Sequence, residues 1–238
     1  MILLLVTVAI VIVAWWLLRS PLLSVRSVVT EGAVRSDPVA IAAGVGVVPG
    51  LPTISVDESA VVTALASDPW IASASVAVQW PGTVVIDVTE RVPLAVASDG
   101  AATAPVAEDG VVLEAADPAP EATIEVDATL PEPGVAIADP AVLSALSFIA
   151  ELPAPLRKGT IVTVDGPMLS AVVAGHPVRL GRGADVEQKA RTLTALLDTE
   201  LESGVSIDLV APLQPAVSHP QPEVEGETDG PSEGEASG

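Results

Sequence analysis

The chain opens with an apolar run that an ordinary water-soluble domain could not leave uncovered. From Ile2 to Leu18 every residue is apolar except Thr7. As a helix, this run is roughly 26 Å long, near the lower limit for crossing a bilayer. Trp15 and Trp16 close it and Arg19 follows, a pattern suited to a membrane–water interface. Ser20-Pro21 then ends the helix. A cleaved signal peptide needs a basic start and small residues at its cleavage site, whereas this run starts Met1-Ile2 and ends in bulky Trp and Leu. A buried core helix is disfavoured because no polar stripe breaks the run. Residues 1–20 are therefore expected to form a retained transmembrane anchor. Arg19, Arg26 and Arg35 all follow it, which by the positive-inside rule alone would hold the bulk of the chain inside. A basic cytoplasmic segment ahead of Met1 is expected to reverse that orientation.

The remaining residues suffice for one or two modest domains, since the chain has 238 in all. Half of the whole chain is apolar but only 2 % is aromatic, so any core must be built from Val, Ala, Leu and Ile. The net charge of −21 repels phosphate backbones and argues against nucleic-acid binding. With no cysteine there are no disulfides, thiolate metal sites or cysteine nucleophiles.

Residues 22–92 read as a βααββ unit. Val25 to Thr30 is a first strand ending at Glu31-Gly32. Asp37-Pro38 signals a helix start, with Asp as N-cap and Pro at the first helical position. A second helix begins near Asp57 and places Val61, Val62 and Leu65 on one face. Trp70-Ile71 are expected to plug its end. Ala74 to Trp80 and Thr83 to Glu90 alternate as strands around the Pro81-Gly82 turn.

Residues 93–217 read as a second, mixed unit. Leu94 to Ala97 starts it, and a hairpin-like stretch from Ala107 to Leu113 turns at Asp109-Gly110. The segment from Ala115 to Gly134, rich in Pro, Ala and Glu, is expected to be a loop. Asp139-Pro140 caps a helix carrying Val142, Leu146 and Ile149 at helical spacing. Strands are expected at Thr160 to Val164, Leu169 to Val173 and Pro177 to Leu180. Asp185 with Gln188 three residues on has capping-box spacing ahead of a helix striped by Val186, Ala190, Leu193 and Leu197. Val205 to Val210 is the last strand. Residues 218–238 hold six acidic residues and no Lys or Arg, and read as a disordered acidic tail.

The search for chemistry is mostly negative. There is no nucleophile elbow and no phosphate loop. Gly181-Arg182-Gly183 lacks the third glycine of a dinucleotide loop and reads as a strand-to-helix turn. His219 lies in the tail, and His176 in Gly175-His176-Pro177 is expected to be an exposed turn residue. No residue is assigned to catalysis, a metal or a cofactor. Paired-carboxylate sites usually add aromatic sugar platforms, and this chain has almost no aromatics. The chain is therefore read as non-enzymatic.

One ordered set of motifs resembles a known family. Asp68-Pro69-Trp70-Ile71, Ala74-Ser75-Val76, Trp80-Pro81 and the run from Ile86 to Ala95 resemble the end of a POTRA domain and the step into its neighbour in FtsQ/DivIB proteins. Asp109-Gly110-Val111-Val112, the run from Gly175 to Gly181, Glu187-Gln188-Lys189-Ala190, Ile207-Asp208-Leu209 and Pro215-Ala216-Val217 are similar to that family in the same order, and the style is actinobacterial. The resemblance implies an α+β protein: a transmembrane helix, a POTRA domain, then a mixed-sheet β domain with flanking helices. It further implies a single-pass protein of the division septum with its bulk outside. Such a protein scaffolds the divisome, linking early components to FtsB-like and FtsL-like partners and thereby to the septal peptidoglycan synthase. Two other readings are a different POTRA-bearing membrane adaptor and a membrane-anchored cell-wall hydrolase.

A strand at a sheet edge can accept a partner strand on its unpaired N–H and C=O groups. The candidate edge is Val205, Ser206, Ile207, Asp208, Leu209, Val210 and Ala211. The alternative for this strand is an ordinary core strand. Pro212 and Pro215 each remove a donor nearby.

Overall fold

The computed structural model describes residues 1–18, 23–199, 202 and 204–219. Helix α1 (Ile2–Leu18) has 17 residues, and its described side chains lie open rather than in a core. Among the described residues no helix is long and apolar enough to cross a membrane. The span expected over residues 1–20 is therefore not found as such, and the described helix is about 26 Å long against a hydrocarbon core of roughly 30 Å. Arg19, Ser20 and Pro21, and the tail beyond His219, lie outside the described residues.

The first unit is the expected βααββ. It comprises β1 (Ser27–Glu31), α2 (Pro38–Gly44), α3 (Glu58–Leu65), β2 (Ile71–Gln79) and β3 (Thr83–Glu90). Its sheet has the order β1-β3-β2, with β1 parallel and β2 antiparallel to β3. Both helices start where the sequence says. Asp37 accepts a hydrogen bond from the Ala40 N–H and Asp57 from the Ala60 N–H, each at 3.0 Å. Val84, Ile86 and Val88 of β3 are buried under Val61 and Leu65 of α3. The half-buried Ala74, Val76 and Val78 of β2 pack at the margin of that core. Trp80, expected to end the strand alternation, stands in the following turn and is exposed. Gly32, at φ +81°, has to be glycine, because a Cβ there would overlap the Val88 carbonyl oxygen.

The second unit is an eight-stranded sheet of order β11-β10-β9-β8-β7-β6-β4-β5. Its first strands are β4 (Pro93–Ser98), β5 (Thr103–Ala107), β6 (Ala122–Val126), β7 (Ile161–Asp165) and β8 (Met168–Val173). The rest are β9 (His176–Arg182), β10 (Ser206–Asp208) and β11 (Ala216–Ser218). Helices α4 (Pro140–Glu151) and α6 (Val186–Leu197) lie against the sheet's buried face, and the short α5 (Ala154–Arg157) follows α4. Phe148, Leu146, Ile149 and Leu193 fill this core together with Ile124, Val162, Val173 and Leu180. The other face is solvent-side: Val162 and Val164 are buried while Ile161 and Asp165 are exposed, the period-2 pattern of a one-sided sheet.

Four expectations change here. The loop expected over Ala115 to Gly134 contains β6, which pairs in parallel with both β4 and β7 and buries Ala122, Ile124 and Val126. His176 is not an exposed turn residue. It is buried at the start of β9, with Nδ1 3.2 Å from the Val205 carbonyl oxygen. Asp185 stands at the N-cap of α6 but makes no side-chain cap bond, because its backbone is left-handed at φ 53°. The fourth concerns the C-terminal strand.

Candidate partner-binding edge

The C-terminal strand region is built by alternation. Val205, Ile207 and Leu209 are buried, whereas Ser206 and Asp208 face the open side of the sheet and are half-buried. β10 runs parallel to β9, with Ile207 opposite Val178 and Asp208 opposite Arg179. The Leu209 N–H donates to the Arg179 carbonyl oxygen at 2.8 Å. Asp208 Oδ1 accepts from the Val210 N–H at 2.9 Å, and its Oδ2 lies 3.7 Å from Arg179 Nη1. Both of those side chains are substantially exposed, so that ion pair adds little.

β10 is therefore not the edge. Beyond Leu209 the chain turns through Val210, Ala211, Pro212 and Leu213, with the Gln214 N–H donating to the Ala211 carbonyl oxygen at 2.9 Å. The Thr192 hydroxyl of α6 donates to the Pro212 carbonyl oxygen at 3.3 Å, tethering the turn. The chain then returns as β11, antiparallel to β10, with Ile207 opposite Val217. The candidate segment Val205 to Ala211 divides into a covered inner strand and an exposed turn, and the outermost strand is Ala216–Ser218. The reason is the two prolines. Pro212 lies in the turn and Pro215 precedes the strand, so they place the reversal and leave every donor of β11 in place.

The edge has an apolar skirt. Val210 is 50 % exposed, Leu213 81 % and Val217 41 %, three large apolar side chains left open beside unpaired backbone. β11 itself carries no charge and no proline, the usual devices that blunt an edge. Leu213 and β11 lie outside the edge expected from the sequence because Pro215-Ala216-Val217 is too short to announce a strand. The one available signal was a proline-bounded reversal after a strand. Among the described residues no group of three or more His, Asp or Glu could hold a metal.

Comparison with known proteins adds the family. Residues 23–91 match the family described as POTRA domain, FtsQ-type. The cell division protein FtsQ of Streptomyces griseus is 31 % identical over 178 residues, covering 71 % of this chain and 84 % of the relative. The chain belongs to the FtsQ family. FtsQ of Streptomyces venezuelae is 30 % identical over 212 residues, covering 86 % of this chain and 78 % of that one. FtsQ of Mycolicibacterium smegmatis is 30 % identical over 217 residues, which is 90 % of this chain but 62 % of the relative, so the chain spans about three fifths of that protein's length. The FtsQ-type POTRA match coincides with the βααββ unit. The exposed C-terminal edge lies in the other unit of this FtsQ-family chain.

Proposed function

We propose that this chain is a non-enzymatic scaffold of the cell-division machinery, held at the septal membrane by its apolar N-terminal helix. Its second unit binds an FtsB-like segment, with an FtsL-like companion, by strand addition on β11, and so couples early division proteins to the septal peptidoglycan synthase. The observation that carries this reading is the open outer side of β11, beside the exposed Val210, Leu213 and Val217. An added strand would satisfy the unpaired backbone groups, and the apolar skirt would supply side-chain contact. The helix Ile2–Leu18 supports the membrane assignment, because its described apolar side chains are exposed and need an apolar surrounding.

The test is a binding series against an FtsB-like peptide, with septal localisation of an N-terminal fluorescent fusion read in parallel. Leu213→Asp and Val217→Pro should each weaken binding by about tenfold or more, equivalent to roughly 1.4 kcal/mol. Asp208→Pro is the wrong probe, since β10 is internal and the change would open the sheet itself. Unchanged affinity in both β11-side variants rejects strand addition there. A diffuse membrane signal with normal septa after depletion of the native copy rejects the divisome role.

A further inference from the structure

The strongest cluster of specific contacts outside the C-terminal edge lies where the two units meet. Only Arg91 and Val92 separate β3 from β4. Asp68 Oδ1 accepts from the Trp70 N–H at 2.9 Å and sets the turn that presents the indole. Trp70 does not join the POTRA core. Its ring packs against Ala107, Val111 and Leu113 of the second unit. The Arg35 guanidinium lies 4.7 Å from the centre of that ring, and its Nη2 donates to the Asp117 carbonyl oxygen at 2.9 Å. The loop carrying Arg35 is itself fixed: Glu90 Oε1 accepts from the N–H groups of Val34, Arg35 and Ser36 and from the Ser36 hydroxyl.

Arg91 ties both sides. Its Nη1 donates to the carbonyl oxygens of Pro69 and Ile71 at 2.9 and 2.8 Å, and its Nε donates to Asp109 Oδ2 at 2.8 Å. The Arg91 side chain is only 17 % exposed, so this pair is screened less than an open surface pair. Gly134 of the second unit lies against Pro69, within reach of any added Cβ.

We propose that Trp70, Arg35 and Arg91 form an interdomain latch that holds the POTRA unit and the eight-stranded unit at one fixed angle, so that the two move as a single rigid body. Two domains joined by a short linker move relative to each other unless their interface is extensive and apolar. This interface has a small apolar centre under Trp70, and it is made rigid by a forked arginine that bonds to both units and by Arg35, which lies over the Trp70 ring on the POTRA side and donates across the gap to Asp117. The latch gives a purpose to two motifs that strand addition leaves unused, Asp68-Pro69-Trp70 and Glu90-Arg91. It stands independently of what binds β11. Its consequence is that the C-terminal edge keeps a constant direction relative to the POTRA unit. Trp70, Arg35 and Arg91 are positioning residues in this scheme.

The chain has no cysteine, which makes distance labelling direct. Spin labels on Ser75→Cys in β2 and Ser170→Cys in β8, both exposed positions, report the interdomain distance in the full chain in detergent. The expected result is one narrow distance distribution, broadened at least twofold by Trp70→Ala with Arg91→Met. Arg35→Met with Asp109→Asn changes only exposed side chains and should broaden it too, with both units still folded by circular dichroism. A broad distribution in the parent chain overturns the latch. So does an unchanged width in the Arg35→Met, Asp109→Asn variant.

Discussion

The two units of this chain draw on the same few apolar residue types and reach different kinds of sheet. In the POTRA unit three strands suffice, and the β2–β3 pair is a direct hairpin across Pro81-Gly82. In the second unit β6 is inserted between β4 and β7, and β10 reaches β9 only after α6. The first sheet joins one hairpin pair to one parallel pair, β1–β3, whereas the second needs three parallel pairings with long connections. Wherever the second unit closes a long loop, its order depends on a helix to cover the joined strands, and α4 and α6 do that work around Phe148. The difference predicts that the second unit depends more on a few large buried side chains, and the POTRA unit more on local caps and turns.

The largest test of that contrast is truncation in each core. Phe148 is the only Phe of the chain and is fully buried. Phe148→Ala should cost about 3–5 kcal/mol, and Leu65→Ala in the POTRA core about 2–5 kcal/mol. Urea unfolding followed by domain-specific probes reads both. If the units fold together, as the latch requires, each substitution lowers one shared transition. If each moves only its own unit's transition, the units are energetically separate and the comparison becomes one between two independent domains.

The same contrast decides what could be read from the sequence. All five elements of the POTRA unit were legible, because Asp37-Pro38, Asp57 and Pro81-Gly82 are local signals that act within a few residues. In the second unit α4 was equally legible from Asp139-Pro140. β6 was not, because Thr123-Ile124-Glu125-Val126 is a short alternation inside a Pro- and Glu-rich stretch, and its place is set by β4 and β7 on either side. The candidate site was half legible. Ile207-Asp208-Leu209 is a strand, but which side of it is covered depends on where the chain goes after Pro212, and no local pattern states that. Trp70 was legible as a plug, yet the wall it plugs belongs to the other unit.

A smaller effect separates the units by their working charges. Lys189 is buried in the second unit, and its Nζ donates to the carbonyl oxygens of Leu180 and Arg182 at 2.7 and 2.9 Å, pinning α6 to the end of β9. Burial lowers its pKa, and the nearby Asp185 carboxylate partly counters that. Lys189→Met keeps the stem but leaves both carbonyls without their donor, and should cost about 1–3 kcal/mol, read from the urea midpoint. The POTRA counterpart is Glu90. Burial raises its pKa, but the Ser36 hydroxyl and the N–H groups of Ser36, Arg35 and Val34 outweigh that and hold it at about 2, against an ordinary 4.5. The folded state therefore binds this proton less readily than the unfolded chain. The stabilisation from Glu90 is complete above about pH 4.5 and is lost as pH falls through about 2. Glu90→Gln should flatten the acid side of the stability profile between those values, while Lys189→Met leaves that side unchanged. An acid limb of equal slope in Glu90→Gln and the parent chain removes Glu90 from the account.

The smallest effect is the sharpest discriminator, because it compares aspartates in nominally the same position. Asp57 caps α3 with a side-chain bond to the Ala60 N–H, and Asp139 caps α4 with one to the Ala141 N–H at 2.8 Å. Asp185 occupies the same place before α6 and makes no such bond, its backbone having turned into the left-handed region. That turn follows from the approach of α4. Gly183 lies so close to it that a Cβ there would stand 2.5 Å from Ser144 Oγ, and the chain must swing sharply from β9 into the helix. Lys189 then binds the strand end and holds α6 in place of a cap. Asp57→Ala and Asp139→Ala should each cost about 1 kcal/mol. Asp185→Asn keeps a residue that tolerates a left-handed backbone and removes no hydrogen bond, so it should change stability by less than about 0.5 kcal/mol. Thermal unfolding of the three variants side by side checks the ranking. A loss at Asp185 equal to that at Asp57 would mean that its carboxylate helps to secure α6, by a side-chain cap or by its charge beside Lys189.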